Sequence, residues 1–152
     1  MNLELKVPPL LVTVMFGVIS WLLSIYTLSV NWFASIQLAV SLLFFVIGSL
    51  FLLSSLSLFR KNNTTVNPFE PKAASVLVTT GVYSISRNPM YVSMLLFLLS
   101  WGFYLSNYFS ILVNIGFIFY INFFQIVPEE KVLTEQFGKQ YKEYRQKVRR
   151  WV

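Results

Sequence analysis

From Val7 to Phe59 the chain carries no charged side chain, and from Asn88 to Pro128 it runs for about forty more residues in the same way. The hydrocarbon core of a bilayer takes roughly twenty apolar residues per helical crossing, so each run holds two helices and is too short for three. The expected fold is therefore an all-α integral membrane protein with four transmembrane helices. Everything chemically capable is confined to a loop from Arg60 to Asn88 and to the stretch after Pro128.

With 152 residues, 56% of them hydrophobic and 12% charged, there is room for one domain whose core is completed by lipid. We divide it into a two-helix membrane hairpin, residues 1–59, and a part that carries the chemistry, residues 60–152. The sequence has no Cys, His or Asp. That excludes a thiolate nucleophile, a His general base, a Ser-His-Asp triad and a zinc site of the usual ligand type. Acid or base work falls to Glu, Tyr, Lys or water, and neither a metal nor a nucleic-acid partner is expected.

The apolar run after Lys6 is too long for a cleaved signal and no small-residue cleavage site closes it, so it reads as a retained first helix. With four crossings, Lys6, Arg60, Lys61, Lys72, Arg87 and all seven basic residues from Lys131 to Arg150 fall on one side, while the turns near Asn31 and Asn107 carry no charge. By the positive-inside rule both termini and the loop are cytoplasmic, and the Asn62 and Asn63 sequons lie on the wrong side for glycosylation.

Helix 1 is expected from about Leu10 to Ser29, after Pro8 and Pro9, and helix 2 from about Ala34 to Phe59. Gly17, Ser20, Ser24, Ser41 and Gly48 offer close helix packing. Ser75 to Thr80 is rich in β-formers and ends at Gly81. Helix 3 starts near Pro89 and ends around Tyr104; helix 4 covers about Phe109 to Val127.

After Pro128 the spacing of Val132, Leu133, Phe137, Tyr141, Tyr144 and Val148 predicts an amphipathic helix whose other face carries Lys139, Lys142, Arg145, Lys147 and Arg149. Such a helix lies along the membrane surface, drawn to anionic lipid. Glu129 and Glu130 have two readings. Either they stabilise a helix N-terminus, or one of them faces a cavity at the membrane boundary and binds a polar ligand.

The ordered set Leu77-Val78-Thr79-Thr80-Gly81-Val82-Tyr83, Arg87-Asn88-Pro89-Met90-Tyr91, and Glu129-Glu130 with Leu133, Phe137, Gly138, Tyr141 and Tyr144 resembles the isoprenylcysteine carboxyl methyltransferase and phospholipid methyltransferase superfamily. Its small bacterial members are most similar. The resemblance implies S-adenosylmethionine as methyl donor, a lipophilic acceptor reached from the bilayer, and a bacterial inner membrane as the location. It places Ser75, Val76, Leu77, Val78, Tyr83, Asn88, Pro89, Met90, Tyr91, Glu129 and Glu130 around the cofactor, with Glu129 and Arg87 as the residues closest to catalysis. Arg87 is then the partner of the cofactor carboxylate, Glu129 that of its ribose hydroxyls or ammonium, and the Tyr83 and Tyr91 rings border the adenine or the sulfonium. Without the resemblance, Arg87 reads equally as a positive-inside anchor and the tyrosines as interfacial aromatics.

Two positions depart from the relatives. Asn88 stands where many carry His, which makes it a binder and never a base. Gln125 stands where isoprenylcysteine enzymes carry a basic residue facing the substrate carboxylate, which points to an acceptor with an amine, hydroxyl or thiol instead. Two other classes fit parts of the pattern: a nicotinamide-dependent sterol reductase, which shares an Arg-x-Pro-x-Tyr region, and a non-catalytic four-helix scaffold or transporter. The reductases are far longer, and proton-coupled transport calls for an ionisable residue inside the membrane that these spans do not contain.

Overall fold

The computed structural model describes residues 5–30, 34–62 and 76–152. Ser75, the turn at Asn31 and Trp32, the Asn63 sequon, Lys72 and the stretch 64–68 lie outside them. Among the described residues five α-helices occur in the order α1 (Pro9–Tyr26), α2 (Ala34–Lys61), α3 (Pro89–Tyr104), α4 (Tyr108–Ile121) and α5 (Val127–Lys147). A 3₁₀ turn at Gly81–Ser84 precedes α3, and a π turn at Asn122–Ile126 joins α4 to α5. The described residues contain no strand. Residues 76–80 are irregular instead, because β-formers need a neighbouring strand to pair with and none is present among them.

Helices α1 and α2 and the continuous unit from Tyr108 onward are long and apolar enough to cross a membrane; α3, at 16 residues, is the shorter fourth. The chain is a multi-pass integral membrane protein. Helix α3 is central, packed against α2, α4 and α1, and α1 closes the bundle against α4. Large apolar side chains such as Leu11, Met15, Leu43 and Leu53 point outward, where lipid replaces the missing protein core.

Polar contacts pin the helices where lipid offers none. The Ser110 hydroxyl donates to the Ser20 carbonyl at 2.6 Å and the Ser20 hydroxyl to the Ser110 carbonyl at 3.3 Å. Ser41 and Ser100 exchange the same pair of bonds at 2.9 and 2.8 Å. A Cβ on Gly48 would come within 3.1 Å of the Phe97 ring and 3.2 Å of Leu96 Cβ, so glycine lets α2 approach α3 here without displacing them. Ser24 does not join helices; it bonds its own turn at the Trp21 carbonyl. Asn107 caps α4 by accepting the Ser110 N–H at 3.0 Å and fastens its amide to the α1 end at Thr27 Oγ1 and the Leu28 carbonyl.

The amphipathic helix does not begin afresh at Pro128. Proline cannot donate to the carbonyl four residues earlier, that of Phe124. In the π turn the Val127 N–H reaches back to the Asn122 carbonyl, and the Leu5 N–H bonds the orphaned Phe124 carbonyl at 3.0 Å. Gln125 adds a bond from Nε2 to the Val7 carbonyl at 2.7 Å. Helix α4 therefore runs into α5 without an end, until Gly138 (φ 50°, ψ −117°) kinks it.

Candidate functional site

The polar residues singled out in sequence gather at the end of the bundle where α3 begins and α4 gives way to α5. Gly81, at φ 61°, opens the 3₁₀ turn that buries Tyr83, whose ring meets Phe59 of α2 edge-on at 5.4 Å. The Tyr144 hydroxyl, one turn and a half beyond the Gly138 kink, donates to the Tyr83 carbonyl at 2.6 Å. Burial pushes the Tyr83 phenol up, outweighing the opposing effect of its Ser55 hydrogen bond, so it stays a neutral hydrogen-bonding group.

Pro89 takes the first turn of α3, and the preceding Asn88 does not cap it with its side chain. The Asn88 amide instead donates to the Arg150 carbonyl at 2.9 Å, and the Ser86 hydroxyl accepts the Asn88 N–H at 3.1 Å. This turn presents the buried Tyr91, whose hydroxyl donates to Glu129 Oε1. Residues 38 apart in sequence are thus joined across the α3–α4 hairpin.

Glu130 faces the other way. Its Oε1 lies 3.0 Å from Arg87 Nη2, and Arg150 grips it as a fork, Nε to Oε1 at 3.1 Å and Nη2 to Oε2 at 2.8 Å. The Arg87 and Glu130 side chains are only 9% and 8% exposed. Arg87 Nε and Nη1 are buried with no partner among the described residues. Glu129, by contrast, has no ion-pair partner among them; a neutral phenol is what holds it.

The geometry argues against one of the two readings of the acidic pair, helix-end stabilisation. Because α4 continues into α5, the N–H groups around Glu129 are engaged within the helix and no terminus is there to stabilise.

Of the other expected site residues, Pro89 is fully buried and Met90 half-buried beside Tyr91, Val78 is buried, Leu77 half-buried and Val76 exposed on the approach to the 3₁₀ turn. Gln125 is buried with its amide nitrogen committed to Val7 and its Oε1 without a partner among the described residues. Sequence reasoning passed over Ser86, Asn122, Arg150 and Trp151 as site residues. Tyr141 and Tyr144 belong to the apolar face expected to lie on the membrane surface; both are instead buried within the protein.

A groove of about 540 Å³, lined by Val14, Gly17, Val18, Trp21, Phe97, Leu98 and Trp101, opens sideways between α1 and α3 within the membrane. Its nearest residue on α3, Phe97, is six positions beyond Tyr91, about 9 Å along the helix.

A protein of Haemophilus influenzae described as uncharacterized is 51% identical over 63 residues, which make up 41% of this chain and 100% of that protein. The model of the family described as phospholipid methyltransferase matches residues 36–140, from the start of α2 to just past the kink in α5, and so takes in Tyr83, Arg87, Tyr91, Glu129 and Glu130. With more than two thirds of its length inside that match, the chain belongs to the phospholipid methyltransferase family.

Proposed function

We propose that this methyltransferase of a lipid-like acceptor takes its methyl group from S-adenosylmethionine, bound from the cytosol at the Tyr83, Tyr91 and Glu129 cluster of a bacterial inner-membrane protein. The observation that carries the reading is the contrast between the two acids. Glu130 is neutralised by two arginines, whereas Glu129 is fixed by Tyr91 and keeps acceptor capacity for a ligand.

The residues present fit the donor's groups. Arg87 offers a carboxylate two buried nitrogens, Nε and Nη1, that have no partner among the described residues, and Glu129 offers a carboxylate to an ammonium or a ribose diol. The Tyr83 and Tyr91 rings supply faces for an adenine or a cation. When bound, S-adenosylmethionine supplies an already activated methyl, so the protein's task is alignment and exclusion of water. Glu129 is the group in this cluster suited to take the proton that an amine, hydroxyl or thiol acceptor releases.

The acceptor enters from the bilayer with its apolar part along the groove between α1 and α3, whose nearest residue on α3 lies about 9 Å along that helix from Tyr91. Ligand-linked stabilisation tests the donor. S-adenosylhomocysteine should raise the unfolding temperature of the purified protein in proportion to the logarithm of its concentration, and NADPH should leave it unchanged. Protection by NADPH and none by S-adenosylhomocysteine would transfer the site to reductase chemistry.

A further inference from the structure

Helix α5 ends at Lys147, and at Val148 the chain turns into extended conformation (φ −122°, ψ 134°). Residues 149–151 then return to the turn that opens α3. The Arg149 carbonyl accepts the Arg87 N–H at 3.0 Å, and the Arg150 carbonyl accepts the Asn88 amide at 2.9 Å and the Ser86 hydroxyl at 3.3 Å. Trp151 Nε1 donates to Asn122 Oδ1 at 3.2 Å, and its ring packs on the core cluster that contains Tyr91 and Ile126. Three consecutive residues thus grip the α3 opening turn, the first turn of α5 and the π turn together.

Arg150 has a particular effect on Arg87. A guanidinium and a carboxylate favour a two-bonded fork, which fixes orientation as well as distance. Arg150 already holds Glu130 in that manner, so Arg87 reaches it through Nη2 alone. The consequence is a pair of buried donors on Arg87, Nε and Nη1, with no partner among the described residues. Were Arg150 absent, Arg87 would be free to take Glu130 as its own fork, through Nη2 and one further nitrogen, and only one of the two donors would remain.

We propose that Arg150 is a positioning residue of the methyl-transfer site. By occupying Glu130 it keeps the Arg87 donors free for the carboxylate of the bound donor, and through its carbonyl it sets Asn88. Arg150 lies ten residues beyond the span matched by the family model, which ends at 140. The inference rests on the methyl-donor reading above.

The test uses the full chain in lipid nanodiscs, with Arg150→Gln and Arg150→Lys. S-adenosylhomocysteine affinity should fall about tenfold or more in Arg150→Gln and by less in Arg150→Lys, which keeps the charge but not the fork. The KM for the donor should rise in step while the KM for the acceptor stays put. Amide exchange of the ligand-free protein should quicken at 86–88 in Arg150→Gln and not in α1 or α2. Wild-type affinity in a folded Arg150→Gln, or unchanged exchange at 86–88, overturns the proposal. If Arg150→Gln does not fold, Arg150→Lys decides: wild-type affinity there overturns it. A wild-type protein that binds no S-adenosylhomocysteine removes the donor reading, and exchange at 86–88 alone then decides whether Arg150 positions this turn.

Discussion

Successive residues on a helix point about 100° apart, and that angle separates the roles of Glu129 and Glu130. Glu130 is a buried counter-charge for Arg87 and Arg150, and removing one partner of such a cluster strands the others. Glu130→Ala is expected to destabilise the protein by about 3–5 kcal/mol, read from unfolding in mixed micelles. Tyr91→Phe should act differently. Its ring stays in the core, but Glu129 loses its only described donor, a charge-assisted bond whose loss costs about 1.5–3 kcal/mol. Donor affinity or turnover should drop about tenfold or more, while the unfolding temperature falls by no more than the lost bond implies; a drop in stability with unaltered activity would make the bond purely structural. Tyr91 and Glu129 were legible because each sits in a short ordered motif. Arg150 was not, since a basic residue after a basic helix looks the same whether it faces lipid headgroups or turns back to a carboxylate.

At the scale of elements, the membrane helices could be read from charge-free runs because the bilayer imposes a length that sequence must satisfy. The junction of α4 and α5 could not. Proline ordinarily ends a helix, and what rescues Pro128 is the N–H of Leu5, a partner more than a hundred residues away that leaves no periodic trace. Gly138 marks the other break, where φ is 50° and ψ −117°. A Cβ there would meet nothing within 4 Å, so the cost of Gly138→Ala is backbone strain alone, about 1–3 kcal/mol. Relief of that strain straightens α5 and pulls Tyr144 from the Tyr83 carbonyl, so faster amide exchange at 81–84 should accompany the lower stability. The groove between α1 and α3 offers a separate test. A Cβ on Gly17 would have ordinary clearance from Leu98, at 3.9 Å, so Gly17→Ala narrows the groove without a clash. Its kcat/KM should fall for long-chain acceptors and be spared for short-chain ones; equal losses for both would place the acceptor chain elsewhere.

Across the whole molecule, charge is segregated end to end. Lys6, Arg60, Lys61, Arg87 and the seven basic residues from Lys131 to Arg150 belong to the end that holds the tyrosine and glutamate cluster. The opposite end is closed without charge, by the Val30 N–H on the Ser106 carbonyl at 2.7 Å, by Asn107 on Leu28, and by Gln37 on the Tyr104 carbonyl at 2.6 Å. The positive-inside rule favours a cytosolic site, so we propose that the methyl donor reaches it from that face while the acceptor's apolar part lies in the groove between α1 and α3. The absence of native cysteine makes this arrangement directly measurable. Lys142 and Tyr108 are both exposed and lie on either side of the crossing formed by α4 and the π turn. A membrane-impermeant maleimide should label Tyr108→Cys in intact spheroplasts and Lys142→Cys only in inverted vesicles. The opposite pattern would put the site on the face away from the donor, and labelling of both from one side would mean that this segment does not cross at all.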